Sequence, residues 1–128
     1  MKILAIVFLA VGGLAGIFLR YSITKSQLLL GVLPLNILIV NIIGSFILGS
    51  FAVLSQQWSL DEKYVLLIAI GFCGGLTTMS SFALDTSNLI NDKQYSLMAI
   101  NIVANVGLSL GAIFGGRALT GMILGGLK

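Results

Sequence analysis

Apolar residues fall into four long runs along the chain, separated by short polar turns at Lys25-Ser26-Gln27, Gln56–Lys63 and Asn91-Asp92-Lys93. A run of about 20 residues with few charges is the length an α-helix needs to cross a bilayer. The pattern predicts helices over about 3–23, 34–54, 64–90 and 95–118, in one four-helix domain covering 1–128. Pro34 suits a first helical turn, because it has no amide hydrogen to leave unpaired. Ser59-x-x-Glu62 has the form of a cap for the third helix, with Trp58 and Tyr64 as interfacial aromatics. The tail 121–128 is apolar and rich in glycine.

The polar residues inside the runs are the informative ones. Asn41 interrupts an apolar stretch, and Ser45 lies four residues on, hence on the same helix face. In the fourth helix Asn101, Asn105 and Ser109 recur every four residues, as do Gly107, Gly111 and Gly115. At 100° per residue the two stripes are about 120° or more apart. One face is therefore expected to line a polar path and the other to pack tightly on a helix. Gly12 and Gly16 make a small-xxx-small face in the first helix.

The third run carries Gly74-Gly75-Leu76-Thr77-Thr78-Met79-Ser80-Ser81-Phe82-Ala83-Leu84-Asp85. Paired glycines weaken a helix, and threonine hydroxyls compete for its backbone groups, so a break is expected near Gly74–Thr78. Carbonyls freed there are suited to a cation. Beyond it, Thr78 with Phe82, Ser81 with Asp85 and Met79 with Phe82 share adjoining surface. Unsatisfied polar groups are costly in hydrocarbon, so this segment must face protein or a watery path.

Composition narrows the function. The chain has 128 residues, 58% of them hydrophobic and 9% charged, with 16 Gly, one Pro, one Cys and no His. Cys73 excludes an internal disulfide and reads as a packing residue; without histidine a metal cluster has little to build on. Seven scattered Lys and Arg give a net charge of +3 and no nucleic-acid footprint. Met1-Lys2 ahead of an apolar stretch imitates a signal peptide, but is read here as the start of a retained helix. Paired carboxylates, a nucleophile–base set and a nucleotide loop are all missing from the sequence, which argues against an enzyme.

With four crossings, Lys2, Lys63, Arg117 and Lys128 fall on one side of the membrane and Arg20, Lys25 and Lys93 on the other. Four against three is almost no positive-inside bias, so insertion in both directions and antiparallel pairing are expected. A polar stripe on so few helices also needs a partner to shield it from lipid.

The sequence resembles the Fluc (CrcB) fluoride channels over essentially its whole length. The resemblance rests on an arginine late in helix one (Arg20), Asn41 within Val40-Asn41-Ile42-Ile43-Gly44, Gly74-Gly75-Leu76-Thr77-Thr78, and the Ser80-Ser81-Phe82 that follows. It implies an all-α membrane protein with a broken third helix, forming an inverted, dual-topology homodimer. It implies two pores and passive, selective fluoride export across the plasma (inner) membrane, relieving fluoride toxicity. Asn41 would match the family's pore asparagine, Phe82 the second phenylalanine of its box, and Asp85 the acidic residue beyond. Asn101, Asn105 and Ser109 would form the polar track, with Ser81 beside it and Arg20 near the vestibule. Carbonyls of Gly74 and Thr77 would hold a structural sodium ion at the dimer centre.

Met79 departs from the family by standing where the first phenylalanine of the box belongs. A phenyl ring presents a positive edge to an anion, whereas a thioether only fills similar space. A non-identical, paralogous partner subunit is the variant of the dimer that this departure admits. Two other readings are a proton-coupled exporter of the small multidrug-resistance kind, with Asp85 as its carboxylate, and an accessory membrane subunit.

Overall fold

The computed structural model describes residues 2–26 and 28–125; Gln27 of the first turn and the tail end 126–128, with Lys128, lie outside the described residues. Four helical spans are long and apolar enough to cross a membrane: Lys2–Thr24, Asn36–Trp58, Glu62–Asn91 and Tyr95–Gly125. The first, second and fourth are the helices α1, α2 and α6.

The third span is assembled from pieces. A short helix α3 (Glu62–Val65) passes into a π-helical stretch (Leu66–Cys73) and a last turn α4 (Gly74–Leu76). Thr77 (φ −79°, ψ 155°) and Thr78 (φ −152°, ψ 114°) are extended, and α5 runs from Met79 to Asn91.

Several boundaries differ from those read in the sequence. Pro34 does not open helix two. It pairs with Leu29 in a two-stranded ribbon, β1 (Leu29–Leu30) and β2 (Leu33–Pro34), turned at Gly31 with φ +65°. Helix two starts at Asn36, and α6 runs on to Gly125, past the end expected near Ala118. Ser59 is not a cap for helix three. It ends α2 in the left-handed region (φ 46°), and Asp61 caps α3 by accepting the Lys63 amide at 3.0 Å. The carboxylate serves better than Ser59 because it reaches an orphan amide and adds negative charge at the positive end of the helix.

Glycines set the packing by letting backbones meet. A methyl on Gly12 would overlap the Leu67 carbonyl, and one on Gly16 the Phe72 carbonyl. Gly71 and Gly75 return the contact against Leu9 and Gly13, so α1 and the third span run side by side in the same direction. Likewise α2 and α6 pack through Gly49 against Ile113 and Gly116 against Phe46 and Ser50, with the Ser50 hydroxyl donating to the Gly116 carbonyl at 3.3 Å. The stripe expected to carry the packing of helix four does not do so within the chain: Gly107, Gly111 and Gly115 face open space. Gly116, one residue round, makes the contact, because the asparagines already turn that side toward α2.

Asn36 fastens the first connection. Its amide donates to the carbonyls of Ile23, at 2.8 Å, and of Ser26, and its Oδ1 accepts the Leu28 amide at 2.8 Å. Asn36→Ala is expected to lower stability by about 1–3 kcal/mol, because three backbone groups of the connection lose a shared, buried partner. Thermal unfolding of the detergent-solubilised protein reads that loss.

Candidate functional site

The two helix pairs meet at the extended threonines, where Val40 and Leu76 are fully buried. With Thr78 extended, its amide cannot bond back along the helix and turns to α2, donating to Asn41 Oδ1 at 2.9 Å. The Gly74 carbonyl thereby loses its ordinary i+4 partner. The Thr78 hydroxyl caps α5 by accepting the Ser81 amide at 3.2 Å, and it lies 3.1 Å from the Ser81 hydroxyl and 3.2 Å from that of Ser80. The positive end of α5 therefore opens at this joint.

From Asn41 a chain of amides runs along α6. Asn41 Nδ2 donates to Asn105 Oδ1 at 3.1 Å, and Asn105 Nδ2 to Asn101 Oδ1 at 3.0 Å and to the Asn101 carbonyl at 3.1 Å. Asn101 Nδ2 donates to Thr86 Oγ1 at 3.1 Å, and the Thr86 hydroxyl to the Phe82 carbonyl at 2.7 Å. Asn101 and Asn105 are only 3% and 5% exposed, and the bonds supply what burial of polar amides demands.

Beside this chain lies a cleft of about 440 Å³ that Asn41, Met79, Phe82, Asn105, Ser109, Gly74, Thr77 and Thr78 help to line. It brings together most of the residues singled out in the sequence. Asn101 and Ser81 are not on its wall but reach it by hydrogen bonds, to Asn105 and Thr78. Phe82 is buried, whereas Met79 is 73% exposed on the surface of the single chain. Asp85 stands apart, lining a separate cleft of about 330 Å³ with Asn88, Asp92, Gln94, Val32 and Pro34. Ser81 and Asp85 lie four residues apart on α5, and the Ser81 hydroxyl accepts from Thr78 at 3.1 Å.

Arg20 comes to the joint from α1. Its Nη1 donates to the Thr77 carbonyl at 3.2 Å, which puts a guanidinium on one of the two carbonyls expected to hold sodium. The Gly74 carbonyl, a hard oxygen released from its helix partner, suits a cation; the Thr77 carbonyl is shared with Arg20. Thr86 is a site residue that the sequence pattern does not single out. Its one signal there is its place four residues after Phe82, where a hydroxyl can bond back to a carbonyl.

Chemically the site offers amide and hydroxyl donors, a helix N-terminus and a nearby guanidinium, a set suited to holding or passing a small anion. The family description "CrcB-like protein, Camphor Resistance (CrcB)" matches residues 7–117. A protein of Nitrosopumilus maritimus named fluoride-specific ion channel FluC is 62% identical over 97% of this chain and 98% of its own length. Proteins of the same name from Sulfurihydrogenibium sp. and Pyrococcus abyssi are 40% and 34% identical, over 90% and 93% of this chain and 95% and 98% of theirs. The family match takes in most of α1, Asn41, the extended threonines and the asparagines of α6, and the chain belongs to the CrcB family.

Proposed function

We propose that this protein is a fluoride channel of the membrane and not an enzyme, passing the ion along the cleft between Asn41, the start of α5 and the polar face of α6. The observation that carries the reading is the joint at Thr78, where Asn41, Asn105 and the capped N-terminus of α5 converge on one cleft. Fluoride is small and strongly hydrated, so its water must be replaced by donors on the cleft wall: the Asn41 amide, the Ser109 hydroxyl and the ring edge of Phe82, with Ser81 joined to the wall through Thr78. Arg20 adds fixed positive charge nearby and favours anions.

The finer parts of the proposal are an antiparallel dual-topology homodimer with two pores, passive export of fluoride from the cytoplasm, and a place in the plasma membrane. Near-balanced charges on the two sides support insertion both ways, and the exposed Met79 on a cleft wall supports a covering partner subunit. The break expected in the third helix is, in this reading, the extended pair Thr77–Thr78. A sodium ion at the dimer centre would be held by carbonyls of Gly74 and Thr77 from each subunit, supplying only fixed charge and bridging, with Arg20 competing at Thr77. A proton-coupled exporter is less well supported, because Asp85 lines a different cleft from the asparagines.

Liposomes containing only this purified chain test the function. Fluoride efflux without chloride efflux is the expected result. Efflux of neither ion from a folded, reconstituted protein would sink it.

A further inference from the structure

The amide chain has a direction, and its far end gives a role to a residue that the proposed path leaves without one. Thr86 has one hydroxyl hydrogen, and the Phe82 carbonyl, which can only accept, takes it at 2.7 Å. Toward Asn101 the Thr86 oxygen is therefore an acceptor, and Asn101 must present its NH₂ there, at 3.1 Å. That turns Asn101 Oδ1 toward Asn105, whose NH₂ it accepts at 3.0 Å while the Asn101 backbone carbonyl takes the same group at 3.1 Å. Asn105 then shows its oxygen to Asn41, which must answer with its NH₂ at 3.1 Å. At the near end the Thr78 amide, which can only donate, requires Asn41 to present Oδ1. Every joint agrees, and both ends rest on backbone groups that cannot reverse.

From this geometry we infer that Thr86 is a positioning residue for the anion path, anchoring the far end of the asparagine chain whose near end the Thr78 amide holds, so that Asn41 keeps a donor toward the cleft; the inference rests on the proposed function. Each amide oxygen already accepts a hydrogen. Each amide nitrogen has a second hydrogen, and among the described residues that of Asn41 has the Thr78 carbonyl at 3.5 Å, a length at which a hydrogen bond is weak. Asn41 thus brings a donor with spare capacity to the cleft wall, which an anion can use. Without the Thr86 hydroxyl, Asn101 is left with a buried unpaired NH₂ and is free to turn over. An inverted Asn101 would set NH₂ against NH₂ at Asn105 and unsettle the orientation of Asn41.

The test is fluoride efflux together with the reversal potential under a potassium fluoride gradient, measured on wild type, Thr86→Val, Thr86→Ser, Asn101→Leu and the Thr86→Val/Asn101→Leu double variant in liposomes. Thr86→Val is expected to cut fluoride efflux about tenfold, the scale of one buried hydrogen bond, and to move the reversal potential toward that of potassium. Thr86→Ser should restore both readings, because it keeps the hydroxyl. Adding Thr86→Val to Asn101→Leu should cost nothing further, since Thr86 acts through Asn101. Thr86→Ala reports the same loss of hydroxyl if the valine variant does not fold. Wild-type flux and reversal potential in the hydroxyl-free variants, a serine variant as poor as valine, or losses that multiply in the double variant would each overturn the role. A silent wild type would instead overturn the path itself, and the role with it.

Discussion

Replacing Asn41 by leucine is expected to lower fluoride efflux by about a hundredfold, because that one side chain supplies both ends of the joint on which the path depends. Its Oδ1 accepts the Thr78 amide at 2.9 Å, holding the extended backbone to α2, and its Nδ2 donates to Asn105 at 3.1 Å. Leucine fills similar space but leaves the buried Thr78 amide without an acceptor, at a cost of about 1–3 kcal/mol. That variant confounds lost structure with lost donors. Asn41→Asp separates them. The carboxylate still accepts the Thr78 amide, so the fold should survive, as read by thermal unfolding. Yet it has no hydrogen for Asn105 or for an anion, and it adds negative charge where fluoride must pass. Flux should fall as far as in the leucine variant, while the unfolding midpoint falls less than leucine lowers it, because the Thr78 amide keeps its acceptor. Wild-type flux in Asn41→Asp would show that Asn41 serves only to hold Thr78.

The four spans are legible because burial in lipid or protein imposes one simple demand, long apolar runs, and the sequence meets it from Lys2 to Thr24 and three times more. Asn41, Asn101 and Asn105 stand out as well, since a polar amide in such a run must find a polar partner or a watery path. What periodicity does not convey is how the backbone itself bends. The π-helical stretch Leu66–Cys73 is as apolar as any buried α-helix, and nothing in its side chains distinguishes one winding from the other. The ribbon at Leu29–Pro34 hides in an equally apolar sequence, where Gly31 alone marks the turn. Thr86 is hidden for a different reason. A hydroxyl bonded to its own helix is usually local satisfaction. Only the approach of α6, with Asn101 at 3.1 Å, makes its oxygen the end of a chain.

The glycines pose the same problem of reading a partner from one side. Gly12, Gly16, Gly107, Gly111 and Gly115 look alike in sequence, yet alanine should affect them in opposite directions. At Gly12 the new methyl meets the Leu67 carbonyl, and at Gly116 that of Phe46; backbone cannot rotate aside as a side chain does. The helices must part, and overpacking of this kind costs about 1–3 kcal/mol. Each variant should therefore lower the unfolding midpoint by about 5 °C or more, with valine worse than alanine. At Gly111 nothing among the described residues stands within 4 Å of the methyl. There alanine should raise stability by up to about 1 kcal/mol, the gain in helix propensity over glycine. Measured in dilute detergent, where chains are separate, the expected order is Gly111→Ala above wild type and wild type above Gly12→Ala and Gly116→Ala. The same series at high protein concentration adds a second reading. If Gly111→Ala then loses its advantage and weakens self-association, the open stripe of α6 is where a second copy closes on the first. If the advantage persists at every concentration, the open stripe of α6 is not a surface on which a second copy closes.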